Sequence, residues 1–130
     1  MNNPVSYQIE TKSGVVFHPH TWHTPEMWRI AFVVRLTAPS TYNPTITAGV
    51  DGQHLAASFH YIGGALDWRI RDFPGVMDYS LTGVFSKNDI KFLRRWEGQI
   101  RAKLGSDFYV ELELMKVHIH VHWKKMLGKR

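Results

Sequence analysis

Two stretches of this chain carry residues that can do chemistry. Ser58-Phe59-His60-Tyr61-Ile62-Gly63-Gly64-Ala65-Leu66-Asp67 sets a histidine and a carboxylate seven positions apart, and His118-Ile119-His120-Val121-His122 adds imidazoles at alternate positions. The chain has no cysteine, so any metal site must use His, Asp or Glu. Three such groups with water in a fourth position form the donor set of a catalytic zinc. Together the stretches point to metal-dependent hydrolysis.

Strands suit both stretches. Alternate strand residues share a face, so His118, His120 and His122 fall on one side, and Ile119, Val121 and Trp123 on the side that suits a core. Ala65 to Ile70 alternates in the same way, with Asp67 and Arg69 on one face and Leu66, Trp68 and Ile70 on the other. Gly63, Gly64 and Ala65 permit close backbone approach beside the first histidine.

The remaining elements follow from local signals. Val5 to Glu10 reads as an opening strand and Thr45 to Val50 as another, followed by a turn at Asp51-Gly52. A helix is expected from Thr24-Pro25-Glu26, with Thr24 as cap and Pro25 in the first turn. It presents Met27, Ile30, Ala31 and Val34 inward and ends before Pro39. A second begins at Ser86 with Asp89 placed for a capping box, turns Ile90, Leu93, Ile100 and Leu104 inward, and stops at Gly105. Phe108 to Leu114 and Val117 to Trp123 complete a hairpin turning near Met115-Lys116. The expectation is a small α+β domain spanning residues 1–130, with a mainly antiparallel sheet, two main helices packed on it and the zinc site on the sheet.

At 130 residues, 44% apolar and 21% charged, the chain is long enough for one core and ordinary for a globular protein. The formal charge of +5 gathers at Lys124, Lys125, Lys129 and Arg130, which favours polyanionic partners such as nucleic acid, an anionic membrane or an acidic cell wall. No basic-then-apolar leader opens the sequence and no run approaches a membrane span. The expectation is synthesis in the cytoplasm without a signal peptide, no membrane insertion and a monomer.

The pattern Ser58-x-His60-x-x-Gly63-x-Ala65-x-Asp67, followed by His-x-His on a late strand, resembles the zinc D-Ala-D-Ala carboxypeptidases and L-alanyl-D-glutamate endopeptidases. These peptidoglycan peptidases are related to lysostaphin-type enzymes and the hedgehog domain. Asp51-Gly52-x-His54 and Asp67-x-Arg69 are similar to short phage members, and the resemblance runs from about Thr45 to Trp123. It implies that His60, Asp67 and His120 hold Zn2+, with His118 beside the reaction centre as catalytic base. Ser58 is implied in support of the site, and His54 and Arg69 are candidates for substrate contact. The implied substrate is the peptide stem of bacterial peptidoglycan, cut outside the cytoplasm after release or from a virion, during lysis or entry.

The chain departs from that family in two places. Relatives commonly carry Asp or Glu three residues before the third ligand, where this chain has Val117; His118, Glu111 or Glu113 would then serve as base. His122 stands where relatives often have Glu, so a His120/His122 pair is the alternative to His118/His120. A non-catalytic zinc-containing module that binds cell wall or peptide is the competing reading. A nucleic-acid nicking enzyme also uses His-hydrophobic-His, but it needs a downstream tyrosine, and none follows His122. His18, His20 and His23 form a further histidine group, interrupted by Pro19 and read as structural; Arg71, like Arg69, could meet a substrate carboxylate but reads first as a solvated strand face, and Trp68 and Trp123 are candidates for a substrate groove.

Overall fold

The computed structural model describes residues 9–51, 58–60 and 63–126. Among them, five strands form one mixed sheet: β1 (Glu10–Thr11), β2 (Thr45–Ala48), β3 (Ala65–Arg69), β4 (Phe108–Glu113) and β5 (His118–Trp123), in spatial order β1-β2-β3-β5-β4. β1 runs parallel to β2 and every other pairing is antiparallel. With α1 (Pro25–Thr37), α2 (Asp78–Thr82) and α3 (Lys87–Leu104) the domain is α+β, as the sequence pattern predicts.

The core lies between one face of the sheet and the layer formed by α1 and α3. Leu66 and Trp68 of β3, Ile119 and Val121 of β5, and Val110 and Leu112 of β4 meet Met27, Ile30 and Val34 of α1 and Leu93, Trp96 and Ile100 of α3. Each large apolar side chain so buried contributes about 1.5–3 kcal/mol toward offsetting chain entropy. Alternation then dictates the other face: Asp67 and Arg69 on β3, Tyr109, Glu111 and Glu113 on β4, and the three β5 histidines share it.

Local chemistry explains how the two long helices are placed. α3 opens on the expected capping box: Ser86 Oγ accepts from the Asp89 N–H at 3.1 Å, and an Asp89 carboxylate oxygen accepts from the Ser86 N–H at 3.3 Å. It closes at Gly105, whose positive φ of 88° suits a residue without a Cβ. Leu93, Trp96, Ile100 and Leu104 are buried along it, whereas Ile90 is only half-buried. α1 opens at Pro25 and ends before Pro39. The Thr24 hydroxyl does not cap it, donating instead to the His20 carbonyl at 3.0 Å. Buried Arg35 donates to the carbonyls of Tyr42, Ala38 and Pro39 just beyond the helix C-terminus.

Other departures from the sequence expectation are short elements. The opening strand is described only from Glu10, and residues 1–8 lie outside the described residues, as does Gly52 of the expected turn. α2 buries none of its side chains, so no apolar period announces it. The hairpin turn between β4 and β5 is a 3-10 turn at Leu114–Lys116, closed by Val117 in the left-handed region at φ 59°. Among the described residues, no helix is long and apolar enough to cross a membrane.

Candidate metal centre

Strand pairing brings the two sequence stretches together. β3 and β5 are antiparallel neighbours with Asp67 directly opposite His120 and Arg69 opposite His118. His60 reaches the same point from the turn that precedes β3. Its backbone N–H donates to Ser58 Oγ at 3.1 Å, and its carbonyl accepts from the Gly63 N–H at 3.1 Å. The glycines of this turn answer to space. A Cβ on Gly63, whose φ is +82°, would lie 2.7 Å from His18 Cβ, and one on Gly64 would lie 2.7 Å from Met126 Cβ. Thr21 Oγ1 braces the turn by donating to the Gly63 carbonyl at 3.1 Å.

Three donor atoms converge. His60 Nε2 stands 3.2 Å from Asp67 Oδ1 and 3.2 Å from His120 Nδ1, and His120 Nδ1 stands 2.9 Å from Asp67 Oδ1. Tetrahedral ligands with metal bonds of about 2.0–2.1 Å lie about 3.3 Å from one another, so this triangle is close to one face of such a polyhedron. His60 and Asp67 are each 3% exposed, and His120 is half-buried. This is the group of His, Asp and Glu that could hold a metal ion among the described residues.

Proton accounting leaves a proton or a metal ion as the occupant of that triangle. His60 Nδ1 lies 2.7 Å from the Gly49 carbonyl, which can only accept, so Nδ1 carries a proton; without a second proton at Nε2 the ring turns a lone pair toward Asp67. A lone pair facing a buried carboxylate oxygen is repulsive unless a proton or a metal ion lies between them. Burial alone would push the Asp67 carboxyl up; hydrogen bonds from His120 and His60, with the charges of His60 and His118, outweigh it and hold it well below the usual carboxylate range. Asp67 is therefore ionised, as a metal ligand must be.

Around the triangle stand the other candidates. His118 Nε2 lies 2.6 Å from Glu113 Oε1 and 3.6 Å from Asp67 Oδ1, so Glu113 of β4 does reach in. Glu111 instead accepts from the Tyr109 hydroxyl at 2.7 Å. Val117 packs half-buried against the core, turned there by its left-handed backbone. Arg69 lies on the same face as His118, its Nη1 3.9 Å from Asp72 Oδ2. His54 lies outside the described residues.

His122 takes no place in the triangle. Its Nδ1 is 2.8 Å from His120 Nε2, and its ring stacks on Phe59 at 4.1 Å and on Tyr109 at 4.9 Å. Burial, helped by the nearby charges of His120, His60 and Lys124, pushes its imidazole down to about 4, so it is neutral at physiological pH.

Other candidates take no part in the triangle. Trp68 is fully buried in the core and lines no groove, whereas Trp123 lines an open cavity with Pro25, Arg29 and Leu104. Arg71 is exposed beyond the end of β3. His18 and His20 lie beside one another, with rings 5.1 Å apart and the His20 N–H donating to His18 Nδ1, but among the described residues they do not join a metal-ligating group.

Sequence reasoning also missed contributors. Gly49, whose carbonyl orients His60, cannot carry a Cβ, which would lie 2.5 Å from the Val16 carbonyl oxygen. Asp51 holds that bend by accepting from the N–H groups of Gly49 and Val16 at 2.9 and 3.0 Å. The Gly-x-Asp spacing was the available signal. Phe59 and Tyr109 had none, because their stacking depends on strand register. No protein-family model, no curated protein sequence and no solved structure matches this chain.

Proposed function

We propose that the chain is a zinc-dependent hydrolase that cuts an amide bond in the peptide stem of bacterial peptidoglycan. The observation that carries the reading is the convergence of His60 Nε2, Asp67 Oδ1 and His120 Nδ1 within 3.2 Å of one another, with the Glu113–His118 pair alongside. Two imidazoles and one carboxylate are a donor set that suits zinc and leaves one position for water or substrate. When bound, zinc supplies Lewis acidity, acidifying water and polarising a carbonyl. The choice of a peptidoglycan stem rests on the resemblance of the Ser58 to Asp67 pattern and the later His-x-His to the wall peptidases. The site acts outside the cytoplasm in this reading, in lysis or in entry.

The chain's own residues then divide the work. His60 and His120 hold their lone pairs inward, His60 through the Gly49 carbonyl. Glu113 Oε1 is engaged by His118 Nε2 at 2.6 Å, and the other carboxylate oxygen of Glu113 is the atom that can take a proton from attacking water and return it to the leaving amine. This supplies the base that Val117 cannot. Arg69, on the same face, is suited to a substrate carboxylate through its planar guanidinium. Ser58 sets the His60 turn and touches no reacting atom in this scheme.

A second reading is a zinc-containing module that binds wall peptide without cutting it. It is favoured by Val117, a core-packed apolar residue at the position where the resembling enzymes carry an acid. Incubating the protein with purified peptidoglycan, with and without a chelator, separates the two. New amino groups whose release the chelator abolishes are expected. Retention on the wall with no release would replace the first reading by the second, and absence of both would overturn each.

A further inference from the structure

The third metal donor differs from the first in how it is held. His60 is oriented by a backbone carbonyl, which can only accept and so fixes the tautomer. His120 is instead in contact with another imidazole, whose Nδ1 lies 2.8 Å from its Nε2. Two proton arrangements satisfy that contact. In one, His122 Nδ1–H donates to His120 Nε2, and the His120 proton sits at Nδ1, pointing at Asp67. In the other, His120 Nε2–H donates to an unprotonated His122 Nδ1, and the His120 Nδ1 lone pair faces His60 and Asp67. Only the second leaves a donor for a metal.

Resting on the reading of this triangle as a metal centre, we propose that His122 is the positioning residue for its third ligand, accepting the His120 Nε2–H so that Nδ1 is presented to the ion. The surroundings hold His122 in place for this. Its ring lies between Phe59, at an interplanar angle of 5°, and Tyr109, at 20°, and this sandwich fixes the plane in which Nδ1 points. Tyr109 is fixed in turn by donating its hydroxyl to Glu111. The sandwich thus links β4, β5 and the His60 turn around one side chain. Partners that orient a ligating histidine typically contribute about 10- to 100-fold in metal affinity.

Zinc affinity of the metal-free full-length protein, measured by competition with a chromophoric chelator, tests this through two substitutions. His122→Phe keeps a flat ring in the sandwich and removes the acceptor; affinity is expected to fall by about 10- to 100-fold. His122→Asn places a carboxamide oxygen near the position of Nδ1 and is expected to restore most of the loss, which recovery of packing alone would not do. In zinc-loaded wild type, the imidazole nitrogen resonances of His120 are expected to show the proton on Nε2. Equal affinity of His122→Phe and wild type, or an Asn variant as weak as the Phe variant, overturns the proposal while leaving the metal centre standing. Failure of the wild type to take up zinc overturns the metal centre and the proposal with it.

Discussion

Asp67 and Asp89 are both buried carboxylates, 3% and 0% exposed, and both are held below the usual carboxylate range. Their partners differ in kind. Asp89 accepts from four backbone N–H groups, those of Met77 and Asp78 at Oδ1 and of Tyr79 and Ser86 at Oδ2, at 2.9–3.3 Å. Asp67 meets His60, His120 and His118 at a single oxygen. Backbone amides cannot change protonation or leave, so Asp89 is an architectural joint tying α2 to the start of α3. Imidazoles can exchange a proton for a metal ion, so Asp67 sits at a centre whose occupancy can vary. The identity of the partner, more than burial or pKa, separates a carboxylate that builds from one that could hold a metal ion.

The sharpest way to break the comparison is to neutralise Asp67. Asp67→Asn is expected to abolish stoichiometric zinc and chelator-sensitive hydrolysis, while shifting metal-free stability by less than about 1 kcal/mol, because the amide still meets the histidines. Metal analysis and urea denaturation on one preparation check both halves. Retained zinc would show that Asp67 is no ligand.

Next in size is the neighbouring Glu113–His118 pair. Glu113→Gln is expected to lower turnover by about 10²- to 10⁴-fold, the usual contribution of a general base, with zinc content unchanged. A loss of zinc in parallel with activity would move Glu113 into the metal centre and out of proton transfer.

Asp89→Ala should show the opposite profile. Four backbone N–H groups lose their shared acceptor, and the expected cost is about 3 kcal/mol, read from the urea midpoint. The folded fraction should keep wild-type zinc affinity. A variant of unchanged stability but weakened zinc would erase the distinction drawn between the two carboxylates.

The smallest effect is on the acid limb. Because the folded Asp89 carboxyl is lowered from its ordinary 3.8, its stabilisation is complete above that value and is lost as pH falls through the folded one. Metal-free wild type should therefore lose stability below about pH 4, and Asp89→Ala should show a shallower acid slope. Parallel slopes would locate the acid sensitivity in other carboxylates, Asp67 among them.

These residues also show what the sequence made legible. The Ser86/Asp89 box spans three residues and could be read directly, as could the alternation that puts His118, His120 and His122 on one face. Asp89's second duty, receiving the start of α2 from ten to twelve residues away, could not, since α2 has no apolar period to reveal it. The spacing of His60 and Asp67 pointed to a pair. Which late histidine meets them depends on the β3–β5 register, set by chain-distant pairing. Trp68 shows the converse error: alternation already placed it with Leu66 and Ile70, and the core claimed it fully.

The alternation along β5 has an evolutionary consequence. Ile119 and Val121 answer to the core, and His118, His120 and His122 answer to the opposite face, so one six-residue strand is under two separate selections. Substitutions at the even positions can alter the histidine face with little cost to the fold, and substitutions at the odd positions do the reverse. The histidine face can thus change by mutational steps along which the domain never has to pass through an unstable intermediate.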